Sequence, residues 1–214
     1  TLDHIKNNCI IPVYSDNEST ISHTQFIDAA KEVVQSNFQG ETILEPNIRV
    51  SHIIKGRIPS AIGKPVRELK QEEKTIYYQR VAFFLEIPTL KEYVNDSSLS
   101  LTIGGVRALN QENLYSKRNL EKFKVFIGFK NKVCTNLCIS TDGLKTDLRV
   151  GTIEELKDKI HELIHSFDKE RFLGNMERMS KFELNESEFA HLVGKMRMYS
   201  HLDKNDKNEK QKLA

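Results

Sequence analysis

From Lys122 to Lys130 the chain alternates without a break. Phe123, Val125, Ile127 and Phe129 fall on one side, and Lys122, Lys124, Phe126, Gly128 and Lys130 on the other. A period of two belongs to an extended strand, and a strand with one apolar side needs a core on that side. This segment must therefore lie in a sheet that is covered on one face.

The chain around it supplies the sheet. Ile48 to Ile54 reads as a strand, and so does Ile76 to Ile87, which is dense in β-branched and aromatic residues and is ended by Pro88. A short strand through Cys9 to Tyr14, interrupted by Pro12, follows an irregular opening. Asn95 to Ser98 is a turn signal, and Leu99, Leu101 and Ile103 alternate with polar neighbours as in a half-buried strand. Asn131-Lys132 can turn the chain into Val133 to Thr141. Asp142-Gly143 is a stronger hairpin signal, leading to a strand near Asp147 to Val150.

The cover is helical. Ser22 and Gln25 form a capping box ahead of Phe26, Ala30, Val33, Val34 and Phe38, and Gly40 stops that helix. A short helical piece is expected around Val66 to Glu73, after Pro59, Gly63 and Pro65. Thr152 and Glu155 form another capping box, and Ile153, Leu156, Ile160, Leu163, Ile164 and Phe167 make one apolar stripe. A further helix covers Lys169 to Met179. The last starts after Asn185, with Phe189, Leu192, Val193 and Met196 facing inward. Strands in succession followed by helices in succession indicate an α+β fold rather than βαβ units. The expected architecture is an antiparallel meander covered on one face by helices, with a helical C-terminal third. At 214 residues, 38% of them hydrophobic, a single domain over residues 1–202 is expected. Residues 203–212 carry no apolar side chain, so 203–214 reads as a charged, disordered tail.

Composition narrows the function classes. No apolar run approaches the roughly 18 residues of a membrane span, and no signal peptide opens the chain, which points to a cytoplasmic protein without a membrane partner. The three cysteines, Cys9, Cys134 and Cys138, do not make a disulfide framework. On one extended strand Cys134 and Cys138 would stand about 13 Å apart, beyond the roughly 7 Å that a disulfide spans. The net charge of +2 names no partner, but the charge is segregated. Between Asn113 and Lys132 six cations (Lys117, Arg118, Lys122, Lys124, Lys130 and Lys132) stand against Glu121 alone. Acids outnumber bases from Gly151 to Glu188.

Three constellations could carry chemistry. His161-Glu162-Leu163-Ile164-His165 matches the zinc-protease motif, in which two histidines one turn apart hold the metal and the glutamate activates water. The apolar stripe of its helix centres on Ile160. His161 and His165 lie about 100° and 140° from that centre, so a solvated helix face is favoured over a metal site. Gly104-Gly105-Val106-Arg107 could seat a phosphate on paired glycines beside an arginine, or form a β-bulge. The third is the outer side of Lys122 to Lys130. Lysines neutralise phosphates, an aromatic ring stacks on bases, and glycine permits close approach. With Arg107, Tyr115, Lys117, Arg118 and Lys132 beside Lys122, Lys124, Phe126 and Lys130, this side forms the candidate nucleic-acid surface.

The segments Ile103–Ser116, Lys122–Asn131, Val133–Gly143 and Ser51–Pro59 together resemble an uncharacterised bacterial family, a domain of unknown function carried on plasmids and conjugative elements. An arginine-bearing strand followed by a Cys-x-Asn sequence is more faintly similar to the phage/plasmid-like protein family. The resemblance implies a mobile-element context, a cytoplasmic site and relatives that continue past this C-terminus. It implies no activity, so it assigns no catalytic residue. The expectation is a non-enzymatic protein without a cofactor that binds nucleic acid, single-stranded DNA above duplex. The alternatives are a protein-binding module such as a host-defence inhibitor, and, disfavoured, a zinc hydrolase. A free sheet face could also be covered by a homo-oligomer.

Overall fold

The computed structural model describes residues 1–11, 20–94, 97–111, 120–131 and 144–202. Helix α1 spans Leu2–Asn8, capped by the Thr1 hydroxyl, where the sequence suggested irregular chain. Cys9 then bridges to Ile76. Helix α2, His23–Asn37, carries the expected capping box between Ser22 and Gln25. It buries Phe26, Ile27, Ala30, Val33 and Val34. Gly40 follows at φ 86°, in the left-handed region that favours glycine.

The expected strand Ile48 to Ile54 is two strands, β1 (Asn47–Val50) and β2 (Ile53–Arg57), which belong to different sheets. Two 3₁₀ turns, Val66–Glu68 and Gln71–Glu73, replace the expected helical piece. β3 (Lys74–Tyr78) pairs antiparallel with β2. β4 (Arg80–Val94) runs straight through Pro88, where the sequence suggested a stop. The ladder to the next strand shifts register between Ile87 and Lys91, and such an irregularity accommodates a proline without losing a ladder hydrogen bond.

β5 (Ser97–Ala108), β6 (Glu121–Asn131) and β7 (Leu144–Val150) complete a five-stranded antiparallel sheet of order β1-β4-β5-β6-β7. The predicted strand Val133–Thr141 and its flanking turns lie outside the described residues. So do Cys134, Cys138 and the tail.

Helix α3, Ile153–Ser166, is capped by Thr152; Glu155 reaches back to the Gly151 N–H (2.9 Å). α2 lies over β4 and β5, and α3 over β6 and β7, all on the same sheet face. That face buries Phe123, Val125, Ile127 and Phe129, as the alternation requires. Phe26 meets Phe83 edge-on, with ring centroids 5.0 Å apart, and Phe123 at a tilt, 4.6 Å away. The chain is an α+β protein with helices in its C-terminal part.

Contacts divide the chain into two compact units, Thr1–Leu173 and Gly174–Ala214. Helix α4 (Lys169–Met179) spans the boundary, and α5 (Glu186–Ser200) belongs to the second unit. On α5, Phe189, Leu192 and Met196 are 58%, 44% and 66% exposed, not inward as expected.

Among the described residues no helix is long and apolar enough to cross a membrane.

Candidate functional site

The sheet face away from α2 and α3 is built on small residues. Along β5 it presents Ser100, Thr102, Gly104, Val106 and Ala108, the partners of Lys130, Gly128, Phe126 and Lys124 on β6 and of Glu86, Phe84, Ala82 and Arg80 on β4. Long side chains from the two flanking strands lean into this trough and meet over it. The Phe126 ring lies on Gly104 and packs against Phe84, 5.7 Å between centroids. One row along, Lys130 crosses β5 to Glu86 at 2.9 Å. The paired glycines therefore form neither a bulge nor a phosphate seat. Both stay in regular register, and each is a floor for aromatic rings: Gly104 for Phe126, Gly105 for Phe26 and Phe83 on the other face.

Beyond Phe126, toward the start of β6, the trough opens into a depression of about 450 Å³. Val106 and Ala108 line it, with Arg80, Lys122, Lys124 and Arg149 around them. Lys122 lies opposite Arg149, and Lys124 opposite Asp147, to which it is paired at 3.5 Å. Asp147 is the one carboxylate among these lining residues. Arg80 and Arg149 are exposed. Four cations from three strands around a small apolar floor can hold a multiply charged anion.

The residues singled out from the sequence divide as follows. Lys122, Lys124, Phe126 and Lys130 do share the outer face. Phe126 is half-buried, and Lys124 and Lys130 already have carboxylate partners. Tyr115, Lys117, Arg118 and Lys132 lie outside the described residues. Arg107 leaves the surface altogether. It is 0% exposed, on the core face of β5. Its guanidinium stands 4.7 Å from the Phe123 ring centroid and donates to the Ile21 carbonyl and to Glu121. The Ile21 N–H donates to the same carboxylate at 2.9 Å. A cation so enclosed serves the fold and cannot meet a phosphate backbone.

Arg80 and Arg149 were not singled out from the sequence. Arg149 alternates with Leu148 and Val150 in the predicted last strand, so its outward side was readable. Arg80 opens a strand whose start was placed too early, and its partners could not be known without the register.

His161 and His165 stack with ring centroids 5.2 Å apart. His161 Nε2 faces the Asn37 amide at 3.4 Å, and Glu162 holds Lys159 at 2.8 Å. Among the described residues no group of three histidine, cysteine or carboxylate side chains converges on a point a metal could occupy.

Comparison places this geometry in a family. The family described as "Domain of unknown function, B. Theta Gene description (DUF3871)" matches residues 1–214. The chain belongs to DUF3871. No curated protein and no solved structure matches it. The DUF3871 assignment agrees with the resemblance to an uncharacterised family and carries no activity with it.

Proposed function

We propose that this DUF3871 chain is a non-enzymatic nucleic-acid-binding protein of a mobile genetic element. It acts in the cytoplasm on single-stranded DNA, as an accessory to annealing, recombination or replication. The observation that carries the reading is the depression ringed by Arg80, Lys122, Lys124 and Arg149 beside the half-buried Phe126 ring. Cations spaced along a sheet track a phosphate backbone, and an aromatic ring next to them takes an unstacked base. A duplex offers phosphates but hides its base faces, so the ring favours a single strand.

The test is fluorescence anisotropy with labelled single- and double-stranded oligonucleotides at two salt concentrations. Lys122→Gln/Arg149→Gln should weaken single-strand binding at least about tenfold. Losing two phosphate contacts should also make the logarithmic salt dependence shallower by about 1.4. Binding that ignores salt, or that the double variant retains, overturns the proposal.

A second reading, a protein-binding module such as a host-defence inhibitor, is favoured by apolar side chains in the second unit. Phe182 is 78% exposed there, with Phe189 and Met196 beyond half. Nuclease-resistant co-purification of a host protein, abolished by Phe189→Glu/Met196→Glu, is its signature.

A further inference from the structure

The two-stranded sheet carries a second cationic site, separate from the outer face of the large sheet. In the β2–β3 pair, Arg57 lies directly opposite Lys74, and Lys55 opposite Ile76. Period-two geometry puts Lys55, Arg57 and Lys74 on one face. Directly opposed residues of an antiparallel pair hold their Cβ atoms about 5 Å apart, and like charges there destabilise the pair. Among the described residues no carboxylate relieves this. The carboxylates of the neighbouring turns are turned elsewhere: Glu68 to Arg67 (3.6 Å), Glu72 to Lys70 (3.9 Å) and Glu73 to Lys64. None of Lys55, Arg57 and Lys74 has a carboxylate partner among the described residues.

These three cations line an open cleft of about 820 Å³ with no carboxylate among its described lining residues. Helix α1 walls one side with His4 and Asn8, and the 3₁₀ turns wall the other with Val66 and Leu69. The α1 wall is fixed in place. The Ile10 N–H donates to the Ile76 carbonyl at 3.0 Å, and His4 Nε2 meets the Tyr78 hydroxyl at 2.9 Å. The Arg57 Nε itself is enclosed by protein and has no hydrogen-bond partner. A cleft that gathers three cations and sets two of them directly opposite each other is poised for an anion.

We propose that the cleft between α1 and the β2–β3 sheet binds a small phosphate-bearing molecule, with Lys55, Arg57 and Lys74 as its phosphate ligands. Guanidinium and ammonium groups together suit a phosphate, the first by its fork of N–H donors and the second as a point charge. The volume lies within the usual range for small-ligand pockets, and Val66 and Leu69 offer apolar contact for whatever the phosphate carries.

The test uses the whole chain and two measurements. Thermal melting is followed with inorganic pyrophosphate, against sodium chloride at matched ionic strength. Melting is also followed with 5′-phosphorylated and 5′-hydroxyl oligonucleotides. Pyrophosphate should raise the melting temperature of the unmodified protein and of Lys122→Gln/Arg149→Gln alike, and should lose at least about tenfold in apparent affinity in Lys55→Gln/Lys74→Gln. A preference for the 5′-phosphorylated over the 5′-hydroxyl oligonucleotide that exceeds the pyrophosphate effect would overturn the small-molecule assignment. The second measurement needs no ligand. Removing one of two opposed like charges should leave the phosphate-free Lys74→Gln protein as stable as the parent or more so. No pyrophosphate effect above salt, an effect untouched by Lys55→Gln/Lys74→Gln, or a destabilised Lys74→Gln overturns the proposal.

Discussion

His23 makes the stability of this fold depend on pH in a way that can be worked out. It is the first residue of α2 and is 1% exposed. Its Nε2 meets the Tyr78 carbonyl at 2.9 Å, and since a carbonyl only accepts, Nε2 carries the proton. Nδ1 is then bare, and it is buried with no partner. Burial, and behind it the Arg107 guanidinium, lower its pKa from 6.5 to about 4, against the opposing pull of the Tyr78 carbonyl. Unfolding exposes the ring and restores 6.5. The folded value is the lower one, so this contribution to stability is fully present above pH 6.5 and is lost as pH falls toward 4. At about 1.36 kcal/mol per pH unit the whole loss is about 3 kcal/mol, a large share of the 5–15 kcal/mol typical of a domain. The assay is urea unfolding at steps from about pH 7.5 to 4.5, on the protein and on His23→Gln. Glutamine can keep an N–H toward Tyr78 without titrating. Every group common to both proteins drops out of the difference. The stability of the protein relative to His23→Gln should fall by about 2–3 kcal/mol between pH 6.5 and 4.5. A difference that stays flat within about 0.5 kcal/mol would refute the account of a neutral, enclosed imidazole.

Other perturbations have equally definite outcomes. Arg107→Met takes the guanidinium away from Glu121 and the Ile21 carbonyl and should cost about 3–5 kcal/mol in chemical denaturation. Arg107→Met/Glu121→Gln should cost less than the two single changes added, because the pair acts as a unit. Gly104→Ala should destabilise by about 1–3 kcal/mol, since the new methyl overlaps both the Phe126 ring and the Phe83 carbonyl oxygen. Gly105→Ala meets only side chains, Phe26 and Phe83, so it should cost less and be relieved in part by Phe26→Leu, as melting curves of the three variants will show. Lys124 and Asp147 are 44% and 69% exposed, so Asp147→Asn should leave stability within about 0.5 kcal/mol. By freeing Lys124 and raising the charge of the depression, the same change should tighten oligonucleotide binding severalfold at low salt, measured by anisotropy.

Local pattern was enough for the elements whose environment is local. The Ser22–Gln25 capping box, the stripe Leu156, Ile160 and Leu163, and the alternation Phe123 to Phe129 all stand where expected, because each is a statement about a helix turn or a strand pleat. Errors gathered where tertiary pairing overrides local preference. Pro88 did not end β4, because a register shift to β5 takes it up. Ile48 to Ile54 did not stay one strand, because its two halves pair with different partners, β1 with β4 and β2 with β3. Nothing within seven residues encodes that choice.

The candidate site was legible as a face and not as a set of partners. Alternation placed Lys122, Lys124, Phe126 and Lys130 on one side of β6, but which charges remain available depends on strands far away in sequence. Glu86 takes Lys130 across β5, and Asp147 takes Lys124 from the neighbouring β7. Arg107 shows the same limit from the other direction. Its side of β5 could be counted from Leu99, Leu101 and Ile103, and that count puts it inward. A charged residue is then admitted to the core because Glu121, the first residue of β6, and the Ile21 carbonyl arrive beside it. The lone acid that seemed to dilute a basic stretch is what holds Arg107 inside. That same exchange explains why the exposed charge of the face shifts toward Arg80 and Arg149: β5 supplies only small residues there, Val106 and Ala108, so the longer side chains of β4, β6 and β7 converge over it.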